Sequence, residues 1–169
     1  HTDAFVRPLL DAKRGLRRTE ARVSHAFVCD VPSYSKLLVV TDAAINIAPD
    51  LNAKAQILEN AISLSRLIGV EIPKAAILSA VETVNPAIIS TLDAAALTLM
   101  ARRGQIAGAI IEGPLAFDNA ISLAAAREKA IESPVAGECD ILLVPDLVAG
   151  NVLAKALEYL AGATTAGVV

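Results

Sequence analysis

Three turns rich in polar residues follow short apolar runs, and their residue types suit the binding of an anion. The turns cover residues 79–85, 112–118 and 146–151. Each is expected to lead into a helix, whose first turn presents free N–H groups and the positive end of the helix dipole. Phosphates and carboxylates bind readily at such an end. The sequence therefore predicts a small anionic ligand along these turns.

The same turns also have an ordinary structural interpretation. Side chains such as those of Thr83, Asp118 and Asp146 accept hydrogen bonds from the first N–H groups of a helix and so cap it. Arg7 is open to two interpretations as well, because an arginine on a helix is either solvated or, facing a cleft, a bidentate ligand for phosphate. The pattern of residues leaves both alternatives open.

Other catalytic arrangements are not evident in the sequence. The two histidines are His1, at the start, and His25, within a predicted strand, where a packed or edge residue is expected. A centre of several histidines around a metal is therefore not expected. The chain lacks the glycine-rich phosphate-binding patterns GxGxxG and GxxxxGK[ST].

Alternating strands and helices must position the polar turns. Short aliphatic runs such as 107–111 and 140–144 are typical of strands buried on both faces, and their alternation with helices favours a parallel sheet. In open α/β sheets, ligands bind at the carboxyl ends of the strands, where these turns should lie. The predicted strands are 23–28, 36–40, 75–78, 107–111, 140–144 and 166–169, the first two forming an antiparallel hairpin. The predicted helices are 1–11, 49–68, 90–101 (opened by a capping box of Ser90 and Asp93), 117–129 and 147–160.

The composition favours a globular α/β protein. Of 169 residues, 54% are hydrophobic and only 3% aromatic, as expected for alanine-rich helices on an aliphatic sheet. The net charge of −3 argues against broad nucleic-acid binding, and no apolar run reaches the ~20 residues of a membrane span. Cys29 and Cys139 are expected to be buried thiols of a reduced, cytoplasmic protein.

Five segments of the chain carry a resemblance to known proteins when they are taken together and in order. They are DAAINIAPD (42–50), AILSAVETVNP (76–86), GPLAFDNA (113–120), SPVAG (133–137) and PDLVAGN (145–151). Together they resemble the phosphate acetyl/butyryltransferase family. The segment VETVNP (81–86) is closer to the butyryltransferase-like branch, which includes members fused to a hydratase domain.

The resemblance implies a fold and an activity. It implies a three-layer α/β/α fold with a mostly parallel sheet, similar to isocitrate dehydrogenase, with residues 14–169 as the second domain, truncated at its C-terminus. Residues 1–13 would then end the first domain or join the two. The implied reaction transfers an acetyl or butyryl group between CoA and phosphate. The CoA thiolate attacks the acyl phosphate, an aspartate acts as base, and serine and arginine stabilise the developing charge.

The resemblance also implies roles for particular residues. The segment HTDAFVRP (1–8) matches the family segment whose arginine contacts phosphate or CoA, which assigns that role to Arg7, with Thr2 a weaker neighbour. The family's Ser-Arg motif and catalytic aspartate are expected beyond Val169, so no catalytic residue is assigned and the isolated chain is expected to be inactive. Substrate-binding residues in the turns would include Glu82, Thr83, Gly113, Pro114, Asp146 and Asn151.

Further expectations concern cofactors, partners and alternatives. The family implies CoA or acyl-CoA and phosphate or acyl phosphate as ligands, no permanently bound cofactor, no metal, and a cytoplasmic homodimer that binds neither nucleic acid nor membrane. One alternative is a non-catalytic ligand-binding or dimerisation module on the same fold. A weaker one is a nicotinamide-dependent dehydrogenase of the isocitrate type, whose metal-binding aspartate cluster is not evident.

Overall fold

The computed structural model describes Pro8 and residues 21–169, which contain a six-stranded mixed sheet of order β4-β3-β5-β2-β1-β6. Strands β2 to β5 run parallel, and β1 pairs antiparallel with both β2 and β6. The predicted α/β class and the β1–β2 hairpin are confirmed. Thr2, Arg7 and all of the predicted helix 1–11 except Pro8 lie outside the described residues. The strands are β1 (Ala26–Asp30), β2 (Leu37–Thr41), β3 (Lys74–Leu78), β4 (Ile110–Leu115), β5 (Ile141–Leu143) and β6 (Thr164–Val168).

Helices cover both faces of the sheet. On one face lie α1 (Leu51–Leu67) and α2 (Ile89–Arg102), and on the other lie α3 (Phe117–Ile121), α4 (Leu123–Glu128) and α5 (Leu147–Tyr159). The side chains of successive strand residues alternate between the two layers, so Ile141 and Leu143 face α1 and α2 while Leu142 faces the other helices. Because both faces are covered, the central strands are continuous apolar runs.

Two strands predicted from the sequence have wrong boundaries. The strand predicted at 23–28 spans Ala26–Asp30, and the larger error concerns β4. The prediction placed a strand at 107–111, with Gly113 and Pro114 in the turn that follows, whereas β4 spans Ile110–Leu115 and contains both. A glycine and a proline are tolerated there because β4 lies at the edge of the sheet and its pairing with β3 shifts register at these two residues. Gly113 also packs closely, since a Cβ built on it would lie 2.7 Å from Cβ of Ile77.

The single helix predicted over 117–129 is divided in two. Ser122 has an extended backbone (φ −126°, ψ 113°) between α3 and α4, and its hydroxyl accepts a hydrogen bond from the N–H of Ala125. A serine that bonds nearby backbone competes with helix continuation. This break lets α4 begin with a cap of its own.

The capping box predicted for α2 is also wrong. The helix begins after Ile88, which makes no side-chain cap bond. The hydroxyl of Ser90 instead lies 2.7 Å from that of Ser79, and the Asp93 carboxylate accepts a 2.6 Å hydrogen bond from the buried ammonium of Lys54. Both side chains therefore bond to other parts of the fold instead of capping the helix. Asp93 does so because the buried Lys54 requires a counter-charge.

Candidate functional site

The carboxyl ends of four parallel strands meet at one edge of the sheet. Register places Thr41 of β2 beside Leu143 of β5, Leu143 beside Ile77 of β3, and Leu78 beside Leu115 of β4. The turns that follow these strands therefore lie in a row, in the order β4, β3, β5, β2. This is the edge at which α/β sheets bind ligands.

The segments after β3 and β4, residues 79–88 and 116–122, the second of which includes the short helix α3, are in contact and are termed the β3–β4 pair of turns. The N–H of Ser79 donates to the carbonyl of Leu115 at 2.9 Å. The amide of Asn119 donates to the Glu82 carboxylate, and so does the Lys129 ammonium, which follows α4. Glu82 is thus held by two donors, whereas Thr83 is exposed.

Two carboxylates in the β3–β4 pair, those of Glu82 and Asp118, share one ammonium. The Lys129 ammonium lies between Glu82 and Asp118, 3.4 Å from the Asp118 carboxylate. The hydrogen bond from Lys129 lowers the pKa of Glu82, and the same bond raises the pKa of Lys129. Asp118 lies in the first turn of α3 but pairs with Lys129, and the N-cap residue of this helix is Ala116. The expectation that Asp118 is a cap is therefore wrong.

The turns after β2 and β5, residues 42–49 and 144–151, are termed the β2–β5 pair and are joined mainly through backbone. The N–H of Val144 donates to the carbonyl of Thr41 at 2.9 Å, and the N–H of Leu147 to that of Ile47 at 3.1 Å. The Asn151 amide donates to the carbonyl of Ala43 at 3.3 Å. Two of the segments predicted as separate motifs, 42–50 and 145–151, therefore form one unit.

A buried carboxylate organises the turn after β2. The side chain of Asp42 is 2% exposed and accepts 2.9 Å bonds from the N–H groups of Ala44 and Ile45. Its second oxygen accepts from the Asn46 amide at 2.6 Å and from the N–H of His25 at 3.2 Å. The Asp42 oxygens are thus used within the protein, which indicates a structural role.

Asp146 caps α5. Its carboxylate accepts a 2.9 Å hydrogen bond from the N–H of Ala149, and its backbone is extended, as at an N-cap. This confirms the capping interpretation for Asp146, one of the alternatives left open by the sequence. A substrate contact by Asp146 remains a prediction.

An apolar pocket lies between the two pairs of turns, and the sequence analysis did not predict it. Its volume is about 450 Å³. Leu78, the last residue of β3, and Val144, which follows β5, pack on the same face of the sheet and are among its lining residues. Other lining side chains are Phe117 of α3 and Ala149, Leu153 and Ala156 of α5. Ala149, Leu153 and Ala156 are spaced i, i+4, i+7, and this spacing is the sequence signal for the half-buried apolar face that α5 turns to the pocket.

The four turns carry no positive charge of their own. Neither lysine nor arginine occurs at positions 42–49, 79–88, 116–122 or 144–151. A phosphate bound at this edge would therefore need backbone N–H groups or a cation from another segment. Both residues assigned from the segment 1–8, Arg7 and Thr2, lie outside the described residues. Those residues include no group of three or more His, Cys, Asp or Glu that could hold a metal ion.

The thiols and the described histidine are packing residues. Burial raises the pKa of Cys29 to about 11 and that of Cys139 to about 12, so both are protonated at neutral pH and unsuited to nucleophilic attack. His25 is buried against Phe27, with ring centroids 4.4 Å apart, and burial lowers its pKa despite the nearby Asp42 carboxylate. The expected burial of both cysteines is confirmed.

Comparison with known proteins defines the class to which this fold and site belong. Residues 1–169 match the family described as phosphate acetyl/butaryl transferase. The chain belongs to the phosphate acetyl/butyryltransferase family, as the sequence motifs predicted.

Individual relatives extend this match. The chain is 57% identical over 169 residues to the phosphate acetyltransferase of Rhizobium meliloti, covering all of this chain and 53% of that protein. It is 41% identical to the phosphate butyryltransferase of Clostridium acetobutylicum, covering all of this chain and 56% of that protein. A branched-chain phosphotransacylase from Enterococcus faecalis superimposes with a TM-score of 0.89 at 33% identity, covering 99% of this chain and 59% of that one.

The chain spans about half the length of the curated relatives it matches. Within the described part of the chain, no helix has both the length and the apolar character needed to cross a membrane.

Proposed function

We propose that the chain forms one wall of the active-site cleft of a phosphate acyltransferase. The reaction converts acyl phosphate and CoA into acyl-CoA and phosphate. The observation that carries the proposal is the family match over residues 1–169, and the row of turns at the carboxyl edge of the sheet supports it. The family match favours this reaction over the nicotinamide-dependent dehydrogenase.

In the proposed reaction the thiolate of CoA attacks the carbonyl carbon of the acyl phosphate. A carbon–sulfur bond forms, the bond from carbon to the phosphate oxygen breaks, and inorganic phosphate leaves with the electron pair. Arg7, assisted by Thr2, is proposed to hold the phosphate or CoA, because a guanidinium pairs with phosphate through two hydrogen bonds. The absence of lysine and arginine from the four turns supports the need for such a cation.

Glu82, Thr83, Gly113, Pro114, Asp146 and Asn151 are the residues proposed to line the substrate side of this domain, residues 14–169. The serine, arginine and aspartate of the chemical step are expected outside this chain. The chain is therefore proposed to need the rest of such an enzyme for turnover, and to act within a homodimer. A cytoplasmic setting is supported by two buried cysteines that form no disulfide.

A direct test is to assay the purified 169-residue chain with acetyl-CoA or butyryl-CoA and phosphate, following release of free thiol. We expect no turnover above that of buffer. In parallel, a chimera in which the chain replaces the aligned 169 residues of the Rhizobium meliloti relative is expected to turn over. Turnover by the isolated chain would contradict the expected inactivity, and an inactive but folded chimera would contradict the proposed reaction.

The role of Arg7 is tested in the same chimera. Arg7→Ala is expected to raise KM for phosphate or CoA by roughly tenfold or more, because a charge-assisted bidentate contact is lost. Arg14→Ala, in the adjacent basic segment, is the matched control and should leave KM within a factor of about two. Unchanged kinetics for Arg7→Ala would instead favour the non-catalytic module with a structural arginine.

A further inference from the structure

We propose that the apolar pocket between the β3–β4 and β2–β5 pairs of turns binds the hydrocarbon chain of the acyl group, and that it favours chains longer than acetyl. This inference rests on the proposed acyl transfer and adds which part of the substrate the described residues hold.

The apolar lining of the pocket suits the hydrocarbon chain of an acyl group better than the phosphate or adenine groups of the substrates. Its surface is formed by aliphatic and aromatic side chains, including Leu78, Phe117, Val144 and Leu153. Ser79 is the lining residue with a polar side chain, and its hydroxyl is already bonded to Ser90 at 2.7 Å. A phosphate or an adenine would lose its hydrogen bonds to water there without replacement, at a large cost in affinity.

The size of the pocket exceeds the need of an acetyl group. One water molecule, with a single non-hydrogen atom, occupies roughly 30 Å³. An acetyl group has three such atoms, whereas the pocket measures about 450 Å³. The space exists because α5 presents alanines at positions 149 and 156, whose side chains end at Cβ, on either side of Leu153. A longer side chain at either alanine would fill it.

The position of the pocket is compatible with reaction at its mouth. Its lining includes Ser79 and Pro145, which lie just after β3 and β5, and Val152 of α5, which is 63% exposed. A chain bound inside would hold its carbonyl at the carboxyl edge, level with the polar turns on both sides. The hydrocarbon end of the substrate would therefore lie against apolar side chains, and its reacting carbonyl would lie near the polar turns.

Binding is tested on the 169-residue chain with labelled methyl groups, after circular dichroism confirms that it is folded. Titration with butyryl phosphate should shift the methyl resonances of Leu78, Val144 and Leu153 but not those of Leu58, which packs on the opposite face of the sheet. Butyryl phosphate should bind roughly tenfold more tightly than acetyl phosphate, since each added methylene contributes about fourfold. Inorganic phosphate should shift none of the three pocket residues.

Specificity is tested in the chimera with the Rhizobium meliloti relative. Ala149→Leu should lower kcat/KM for butyryl-CoA by roughly tenfold and leave that for acetyl-CoA within about threefold, because only the longer chain needs the filled volume. Ala156→Leu is a second variant with the same expected direction. The matched control is Ala124→Leu, at an exposed position of α4, which should alter neither value.

The outcomes separate this proposal from the proposed reaction. An inactive parent chimera contradicts acyl transfer. An active chimera in which both pocket variants lower the two kcat/KM values equally, or leave both unchanged, contradicts the acyl pocket alone. Two results of the titration also contradict it. One is a shift of the pocket methyls by CoA equal to that by butyryl phosphate. The other is a shift that depends on protein concentration without ligand, since a second copy of the chain would then occupy the pocket.

Discussion

The β2–β5 pair of turns is held together by backbone hydrogen bonds and a buried carboxylate, whereas the β3–β4 pair is joined by one backbone hydrogen bond and by the side chains of Glu82, Asn119 and Lys129. Asp42 is 2% exposed and has its oxygens bonded to four residues. Glu82, its counterpart after β3, bonds to Asn119 and to a lysine whose side chain is 43% exposed. Two turns at the same edge of one sheet are therefore held by different kinds of contact.

This difference in contacts predicts different roles for the two pairs of turns at this edge of the sheet. A turn closed on itself fixes the end of the sheet and keeps α5 in place, while a turn held by surface ion pairs can change its contacts at low cost, since such pairs contribute little to stability. Substrate-dependent movement, if it occurs at this edge, is therefore expected in the β3–β4 pair. The substitutions below test the contrast.

Asp42→Ala is expected to have the largest effect. It leaves the buried N–H of His25 and the half-buried N–H groups of Ala44 and Ile45 without an acceptor, and each buried group left unsatisfied costs about 1–3 kcal/mol. We expect the free energy of unfolding in urea, followed by circular dichroism, to fall by about 4 kcal/mol. If this variant does not fold, Asp42→Asn, which keeps one acceptor oxygen, should lose about half as much.

Asp50→Ala is the matched control for Asp42. That carboxylate caps α1 through one bond, from the N–H of Ala53 at 2.8 Å, and its loss should cost about 1 kcal/mol. Equal losses for the two aspartates would refute the idea that Asp42 organises its turn.

Gly150→Ala is expected to have the second largest effect and to lower the free energy of unfolding by about 2 kcal/mol. A Cβ at this position would lie 2.7 Å from the carbonyl oxygen of Asp42 and 2.8 Å from a methyl of Val144. In an exposed helix the same change would stabilise by up to ~1 kcal/mol, so destabilisation here measures the close approach of α5 to the turn. Val148→Ala, at an exposed position of the same helix, is the control and should change the unfolding free energy by less than about 0.5 kcal/mol.

Asn119→Ala tests the β3–β4 pair at its buried end. The side chain is fully buried and its amide donates to Glu82, but its carbonyl oxygen has no partner among the described residues. Because the substitution removes one bond and one unsatisfied oxygen together, we expect a loss of only about 1–2 kcal/mol in the same urea measurement. A loss as large as that of Asp42→Ala would show that the two halves of the edge are equally rigid.

The sequence predicted the features that depend on local pattern, but not the contacts between these turns. Aliphatic runs and helix periodicity predicted the α/β class, the hairpin and the Asp146 cap, since these depend on local pattern. The start of α2 could not be predicted, because Ser90 and Asp93 bond to Ser79 and Lys54, residues distant in the chain. The apolar pocket was missed for the same reason, since its walls come from three separate segments that only the fold brings together.

The smallest effect is expected for Glu82→Gln, and it should depend on pH. Because the bond from Lys129 lowers the pKa of Glu82 in the folded protein, the ionised carboxylate stabilises the fold above its unfolded pKa of about 4.3. That stabilisation is lost as the pH falls through the lowered folded-state value, where the carboxylate takes up a proton. The variant should therefore be slightly less stable than the parent at pH 7 and equal to it once Glu82 is protonated in both states. Urea midpoints measured across this range test the sign, with Glu132→Gln, an exposed glutamate, as control. If the difference in urea midpoint between the variant and the parent stayed the same in acid, Glu82 would act through packing and not through its charge. The β3–β4 and β2–β5 pairs would then differ less than their contacts imply.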